Sequence, residues 1–200
     1  MNTKQLLGIG MMGFVAAGNA LAGIVYDNGP INGTVDGWTI NFGYQVSDSF
    51  TVASAVNLAS AQISLWLRPK DVPATVDWSI GTSPFGSDIS SGTATLNNTF
   101  LYNNTYGYDL YNSTLALSGA VSPSTTYYFT LQNATVSNGD AVYWDENGGP
   151  SSASKNSVGT INSEAFTLYS AVPEPKSYAT LSGLGLLGLV AWRRARNHAA

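Results

Sequence analysis

The stretch Ser60-Ala61-Gln62-Ile63-Ser64-Leu65-Trp66-Leu67 decides the fold class. Ala61, Ile63, Leu65 and Leu67 recur at every second position, and Ser60, Gln62 and Ser64 fill the alternate ones. A period of two puts apolar and polar side chains on opposite faces of a strand, whereas a helix needs 3.6. The same alternation appears in Val76, Trp78 and Ile80 against Thr75, Asp77 and Ser79. It recurs in Tyr127, Phe129 and Leu131 against Thr126, Thr130 and Gln132, and again in Phe166 and Leu168. Further strands are expected over residues 37–42, 49–56, 93–96, 99–102, 112–117 and 141–144. Turn signals such as Asn28-Gly29-Pro30, Asn32-Gly33, Ser83-Pro84-Phe85-Gly86, Ser122-Pro123-Ser124 and Asn138-Gly139-Asp140 separate them. No window between residues 23 and 171 carries a capped amphipathic helix. Eight to eleven short strands predict an all-β domain over 23–171, an antiparallel β-sandwich of jelly-roll type. Residues 147–162, poor in apolar side chains, read as a long exposed loop.

Composition narrows the chemistry. The 200 residues are only 10% charged, against about 25% in an ordinary soluble protein. There is no Cys, so thiolate metal sites, disulfides and cysteine nucleophiles are excluded, and the one His is His198. Any mechanism that needs imidazole inside the sandwich is excluded with them. Residues 23–172 hold eleven acidic groups against three basic ones, a balance of −8. Such a domain repels phosphate backbones, so a nucleic-acid partner is not expected.

Both ends of the sequence differ from this middle. Residues 1–22 join Lys4 to the apolar run from Leu6 to Ala17 and end in Ala20-Leu21-Ala22. That order is the anatomy of a secretory signal peptide, with Ala20 and Ala22 marking the cleavage site. Residues 172–200 open on Val172-Pro173-Glu174-Pro175, continue through an apolar stretch over about 177–192, and close on Arg193, Arg194 and Arg196. Sixteen helical residues span about 24 Å, and Trp192 with a snorkelling Arg193 extends that toward the ~30 Å hydrocarbon core. The arginines are expected to stay cytoplasmic as a stop signal. Pro173 and Pro175 hold their segment extended, in a form a protease can bind.

This tail resembles the PEP-CTERM sorting signal of Gram-negative bacteria. The resemblance rests on Pro173-Glu174-Pro175, the glycine-rich apolar segment and the Arg193-Arg194-Ala195-Arg196 cluster, fewer than 30 residues in all. It implies exosortase as partner, a transient anchor in the inner membrane, cutting near Pro173-Glu174-Pro175, and delivery to the cell surface or extracellular matrix. A permanent tail anchor is the alternative. Residues 38–91 also look like the adhesive or carbohydrate-binding-like jelly rolls found ahead of this signal, through Phe50-Thr51-Val52, Ile63-Ser64-Leu65-Trp66-Leu67 and Val76-Asp77-Trp78-Ser79-Ile80. Pro123-Ser124-Thr125-Thr126-Tyr127-Tyr128 adds a late-strand entry of the same style.

Three constellations could carry chemistry. Asp145-Glu146, with Asp88 and Asp109 elsewhere, are the carboxylates a glycosidase would draw on. Neighbours on a strand point to opposite faces, however, and a glycosidase needs its pair about 5–9.5 Å apart across a cleft. Asp140, Asp145 and Glu146 are oxygen donors for a structural calcium, without the spacing of an EF-hand. Tyr102, Tyr106, Tyr108 and Tyr111, among Asn103, Asn104, Asn112 and Asp109, offer the flat apolar faces and polar rims a saccharide needs. The expectation is therefore a non-enzymatic, exported component of an extracellular polysaccharide or biofilm layer, with weak glycan binding and no obligatory cofactor. Its rival is a secreted glycan-active enzyme using the loop carboxylates.

Overall fold

The computed structural model describes residues 23–171. The expected signal peptide over 1–22 and the expected transmembrane segment over about 177–192 lie outside the described residues, as do Pro173, Glu174, Pro175 and the three arginines. In chain order the strands are β1 (Ile24–Asp27), β2 (Gly37–Thr39), β3 (Gln45–Phe50), β4 (Val56–Leu67), β5 (Pro73–Gly81), β6 (Ser90–Thr95) and β7 (Asn97–Asn103). They are followed by β8 (Asp109–Val121), β9 (Tyr127–Val136), β10 (Tyr143–Asp145), β11 (Ala153–Lys155), β12 (Gly159–Ile161) and β13 (Phe166–Ser170). Every pairing among them is antiparallel.

The deciding stretch lies in β4, the spine of a seven-stranded sheet. One edge of β4 is covered by β8, which opposes Leu65 with Tyr111 and Ile63 with Ser113, and β7 lies beyond β8. The other edge is shared: β13 covers Leu58 to Ile63, and β10 covers Leu65 and Trp66. Strands β1 and β2 extend the sheet from β13 and β10. The second sheet runs β12-β11-β3-β9-β5-β6. Both sheets face one core, as the sandwich expectation requires. Ala61, Ile63, Leu65 and Leu67 are fully buried in it, as are Val76 and Ile80 from the second sheet. At its centre Phe129 meets Trp144 at 5.7 Å and Phe166 at 5.5 Å, so aromatic rings from both sheets interlock. Gly23 lies beside Ser170, whose N–H donates to the Gly23 carbonyl at 2.9 Å.

Four expectations need correction. Thirteen strands form rather than eight to eleven. The strand expected over 49–56 does not exist as one piece: β3 ends at Phe50, β4 starts at Val56, and the residues between them cross from sheet to sheet. The strand expected over 37–42 stops at Thr39, and Phe42 and Gly43 turn with φ of 57° and 84°. The loop expected over 147–162 contains the hairpin β11–β12, docked on the edge of β3 through Ala153↔Asp48 and Lys155↔Val46.

Alternation predicts polar, solvated positions on the outer face of β4. Ser64 and Trp66 are nevertheless buried there. The chain after β1 crosses this face, where Gly29, Pro30 and Ile31 line a cleft of about 260 Å³ with Gln62, Ser64 and Asn112. Tyrosines from the β7–β8 turn cover Trp66.

Candidate functional site

Trp66 is the floor of an aromatic ledge on the outer face of the first sheet. The Tyr106 ring stacks on it at 6.1 Å with an 18° interplanar angle, and Tyr108 tilts against it at 5.8 Å. Tyr143 from β10 meets Tyr108 edge-on at 5.6 Å. The β7–β8 turn holds these rings in place. Its key is Asn104, a buried side chain whose Oδ1 accepts the N–H groups of Tyr106 at 3.0 Å and Tyr108 at 2.9 Å. Asn104 Nδ2 donates to the Gly33 carbonyl at 3.1 Å, and the Tyr106 hydroxyl donates to the Thr34 carbonyl at 3.0 Å. The ledge is therefore tied to the segment that crosses β4. Tyr106 is 60% exposed, which leaves its outer face open to a ligand.

The four expected tyrosines separate. Tyr106 and Tyr108 come together on the ledge. Tyr102 is exposed and closes over Gly33, where a Cβ would lie 2.5 Å from its hydroxyl and 2.6 Å from Leu110 Cδ2. Tyr111 does not belong to this surface: it is buried in the core and packs edge-on against Phe100 at 5.6 Å. On β8 it shares the inward face with Ser113, Leu115 and Leu117. Burial and the Asp109 charge raise its hydroxyl above the ordinary tyrosine range. Tyr143 was hidden in the sequence, although inward Val142 and Trp144 on either side of it fix its outward direction.

The carboxylates weighed for calcium and for the rival enzymatic reading are all engaged in hydrogen bonds or an ion pair. Asp145 is wholly buried. Its Oδ2 accepts Asn32 N–H at 2.7 Å, and its Oδ1 accepts Gly33 N–H at 2.8 Å and Trp66 Nε1–H at 2.5 Å. Burial pushes its pKa up to about 6 against the pull of these three donors. Glu146 accepts Trp38 Nε1–H at 2.6 Å and Asn162 Nδ2–H at 2.7 Å. Asp140 sits at the other end of the β10 segment, 3.7 Å from Arg68 and 3.3 Å from Asn138. Asp140, Asp145 and Glu146 thus turn to separate partners, and among the described residues no three acidic side chains gather as metal ligands. Asp88 caps the exposed turn at Thr82, and Asp109 accepts from Lys70 N–H and Asn103.

Two further acids lie at positions that no motif or spacing marks out. Asp48 follows Val46 and precedes Phe50 on the inward face of β3, and Glu164 stands two residues before inward Phe166. Both are fully buried. Asp48 Oδ2 accepts Glu164 N–H at 2.7 Å and Asn28 Nδ2–H at 3.0 Å. Asp48 Oδ1 and both Glu164 oxygens have no hydrogen-bond partner. Burial pushes Asp48 up to about 6 and Glu164 well above the ordinary carboxyl range, with the Asp48 charge adding to the effect on Glu164.

No curated protein matches the chain. Residues 171–195 match the family model described as the PEP-CTERM protein-sorting motif. The chain therefore carries the C-terminal signal of an exosortase-targeted, exported surface protein.

Proposed function

We propose that the β domain is a non-catalytic glycan-holding module, anchored transiently in the inner membrane during sorting and then retained in the extracellular polysaccharide or biofilm layer. The observation that carries this reading is the open face of Tyr106 stacked on Trp66, flanked by Tyr108 and Tyr143. Sugar rings present apolar faces and hydroxyl rims, and flat aromatic side chains beside amides match both. Asn104 fixes the turn in advance, which lowers the ordering cost of binding. The low charge density and acidic balance of the domain suit a neutral polymer. The engagement of Asp145 and Glu146 in buried hydrogen bonds favours a binder over a hydrolase.

Residues 22–171 form one compact unit whose core comes entirely from within it, so the domain can be studied alone. Retention of this domain on immobilised bacterial exopolysaccharides is the test. Tyr106→Ala is expected to weaken retention about 2- to 10-fold, from the worth of one aromatic contact, and to leave the melting temperature nearly unchanged. Absence of retention on every polysaccharide would remove the glycan reading. Release of reducing ends, lost in Asp145→Asn or Glu146→Gln, would replace it with the enzymatic one.

A further inference from the structure

Four buried oxygens in one corner between the sheets lack any hydrogen-bond partner: Asp48 Oδ1, Glu164 Oε1, Glu164 Oε2 and Ser151 Oγ. Buried polar groups are paired in more than about 90% of cases, and an unpaired buried charge is far costlier than an unpaired amide. Here the Glu164 backbone N–H donates to Asp48 Oδ2, which ties the two acidic residues together, and Ser151 lies beside Asp48. The charges around Glu164 make the problem worse, since Glu146, Asp145 and Asp36 are all acidic. The one base nearby, Lys155, holds its ammonium over the Trp38 and Tyr44 rings at 4.9 and 4.5 Å. It pairs with neither carboxylate, and the one ion pair among the described residues is Arg68–Asp140. Lys155 acts on Glu164 through space alone, and among the described residues no protein cation contacts either carboxylate.

We propose that Asp48 and Glu164, with the Ser151 hydroxyl, form a calcium site that fastens β3 to the segment leading into β13. The donors are all oxygen, which selects a hard cation, and the absence of Cys from the chain removes thiolate-loving metals. Calcium takes 6–8 oxygens in flexible geometry, whereas magnesium demands a near-ideal octahedron. Three carboxylate oxygens and one hydroxyl supply half the shell. Ser151 also lines an open cleft of about 550 Å³ beside Asn147 and Ser163, the side from which water would complete the shell once calcium binds. Two carboxylates make a modest site, of the order of 10⁻⁴–10⁻³ M as in extracellular modules. That range suits a protein displayed outside the cell. The proposal does not depend on glycan binding.

The test is calcium titration of the domain over residues 22–171 after EGTA treatment at pH 7.5, followed by thermal unfolding. A rise in melting temperature of roughly 5–10 °C is expected at a hundredfold excess over Kd. About one calcium per chain should bind at saturation in equilibrium dialysis. Asp48→Asn and Glu164→Gln keep the side-chain shape and should each abolish the rise. Should either amide fail to fold, carboxyl ¹³C resonances of the unaltered domain decide: those of Asp48 and Glu164 must move on adding calcium. No bound calcium and no shift at 10-fold above that Kd range, or a full response in both variants, overturns the site.

Discussion

Asp145 shows how much one side chain can organise. Its two oxygens collect three donors, two of them buried, from two distant parts of the chain, fixing the segment at Asn32 and Gly33 and the Trp66 indole under the ledge. Removing the carboxylate strands all three. Asp145→Ala is expected to cost about 3–4 kcal/mol in urea unfolding, since each orphaned buried donor is worth about 1–3 kcal/mol and some find water. Trp66 fluorescence should shift to the red in the same variant. A cost below about 1 kcal/mol would mean that the donors are satisfied otherwise. Gly33 adds a steric constraint at the same place, because its φ of 70° and the Tyr102 hydroxyl above it leave no room for a Cβ.

At the scale of the strand, alternation separates costly positions from tolerant ones. Leu65 on β4 is fully buried between the sheets, while Phe100 on β7 is 53% exposed and leans on Tyr111 alone among the aromatic rings. Leu65→Ala should lose about 2–5 kcal/mol and Phe100→Ala less than about 1.5 kcal/mol, both read by urea unfolding. Equal losses would contradict the facing assigned to the two strands. The same alternation explains what could be read beforehand. β4, β5 and β9 were legible because apolar and polar residues trade places in them without interruption. β11 and β12 were not, because Ala153-Ser154-Lys155 carries no periodicity and gains its conformation from pairing with β3. Tyr106 and Tyr108 were recognisable as candidate sugar-stacking residues by type, but separating them from Tyr111 required the register of β8. Asp48 and Glu164 were missed because an acid at an inward position reads as an interruption of the pattern. Only the pairing of β3 with β11 and the bridge Glu146↔Glu164 reveal that both acids point inward.

For the whole molecule, buried acids decide how stability depends on pH. Asp48 and Asp145 rise from 3.8 to about 6 on folding, and Glu164 rises further. The folded chain therefore binds protons more tightly than the unfolded one, and stability falls as pH increases through this window. Calcium-free domain should be more stable at pH 5 than at pH 8, by about 1.4 kcal/mol for each group raised from 3.8 to about 6, because pH 5 lies only one unit below the folded value. Saturating calcium should flatten or invert that slope by holding Asp48 and Glu164 ionised. Denaturant unfolding across pH 4–8 measures both, and a calcium-free domain that gains stability toward pH 8 would contradict the electrostatics. The adjacency of Gly23 and Ser170 bears on a separate matter, the mechanical one. Tension applied between residues 23 and 171 would peel β1 from β13 one rung at a time, as a zip opens. Drag on a polymer held at the proposed Tyr106 ledge over Trp66, resisted at residue 171, would instead slide β13 along β4 and load the whole ladder from Phe166↔Ile63 to Ser170↔Leu58 at once. A domain held by its C-terminal end would thus meet flow with its sturdier geometry and leave its first strand slack.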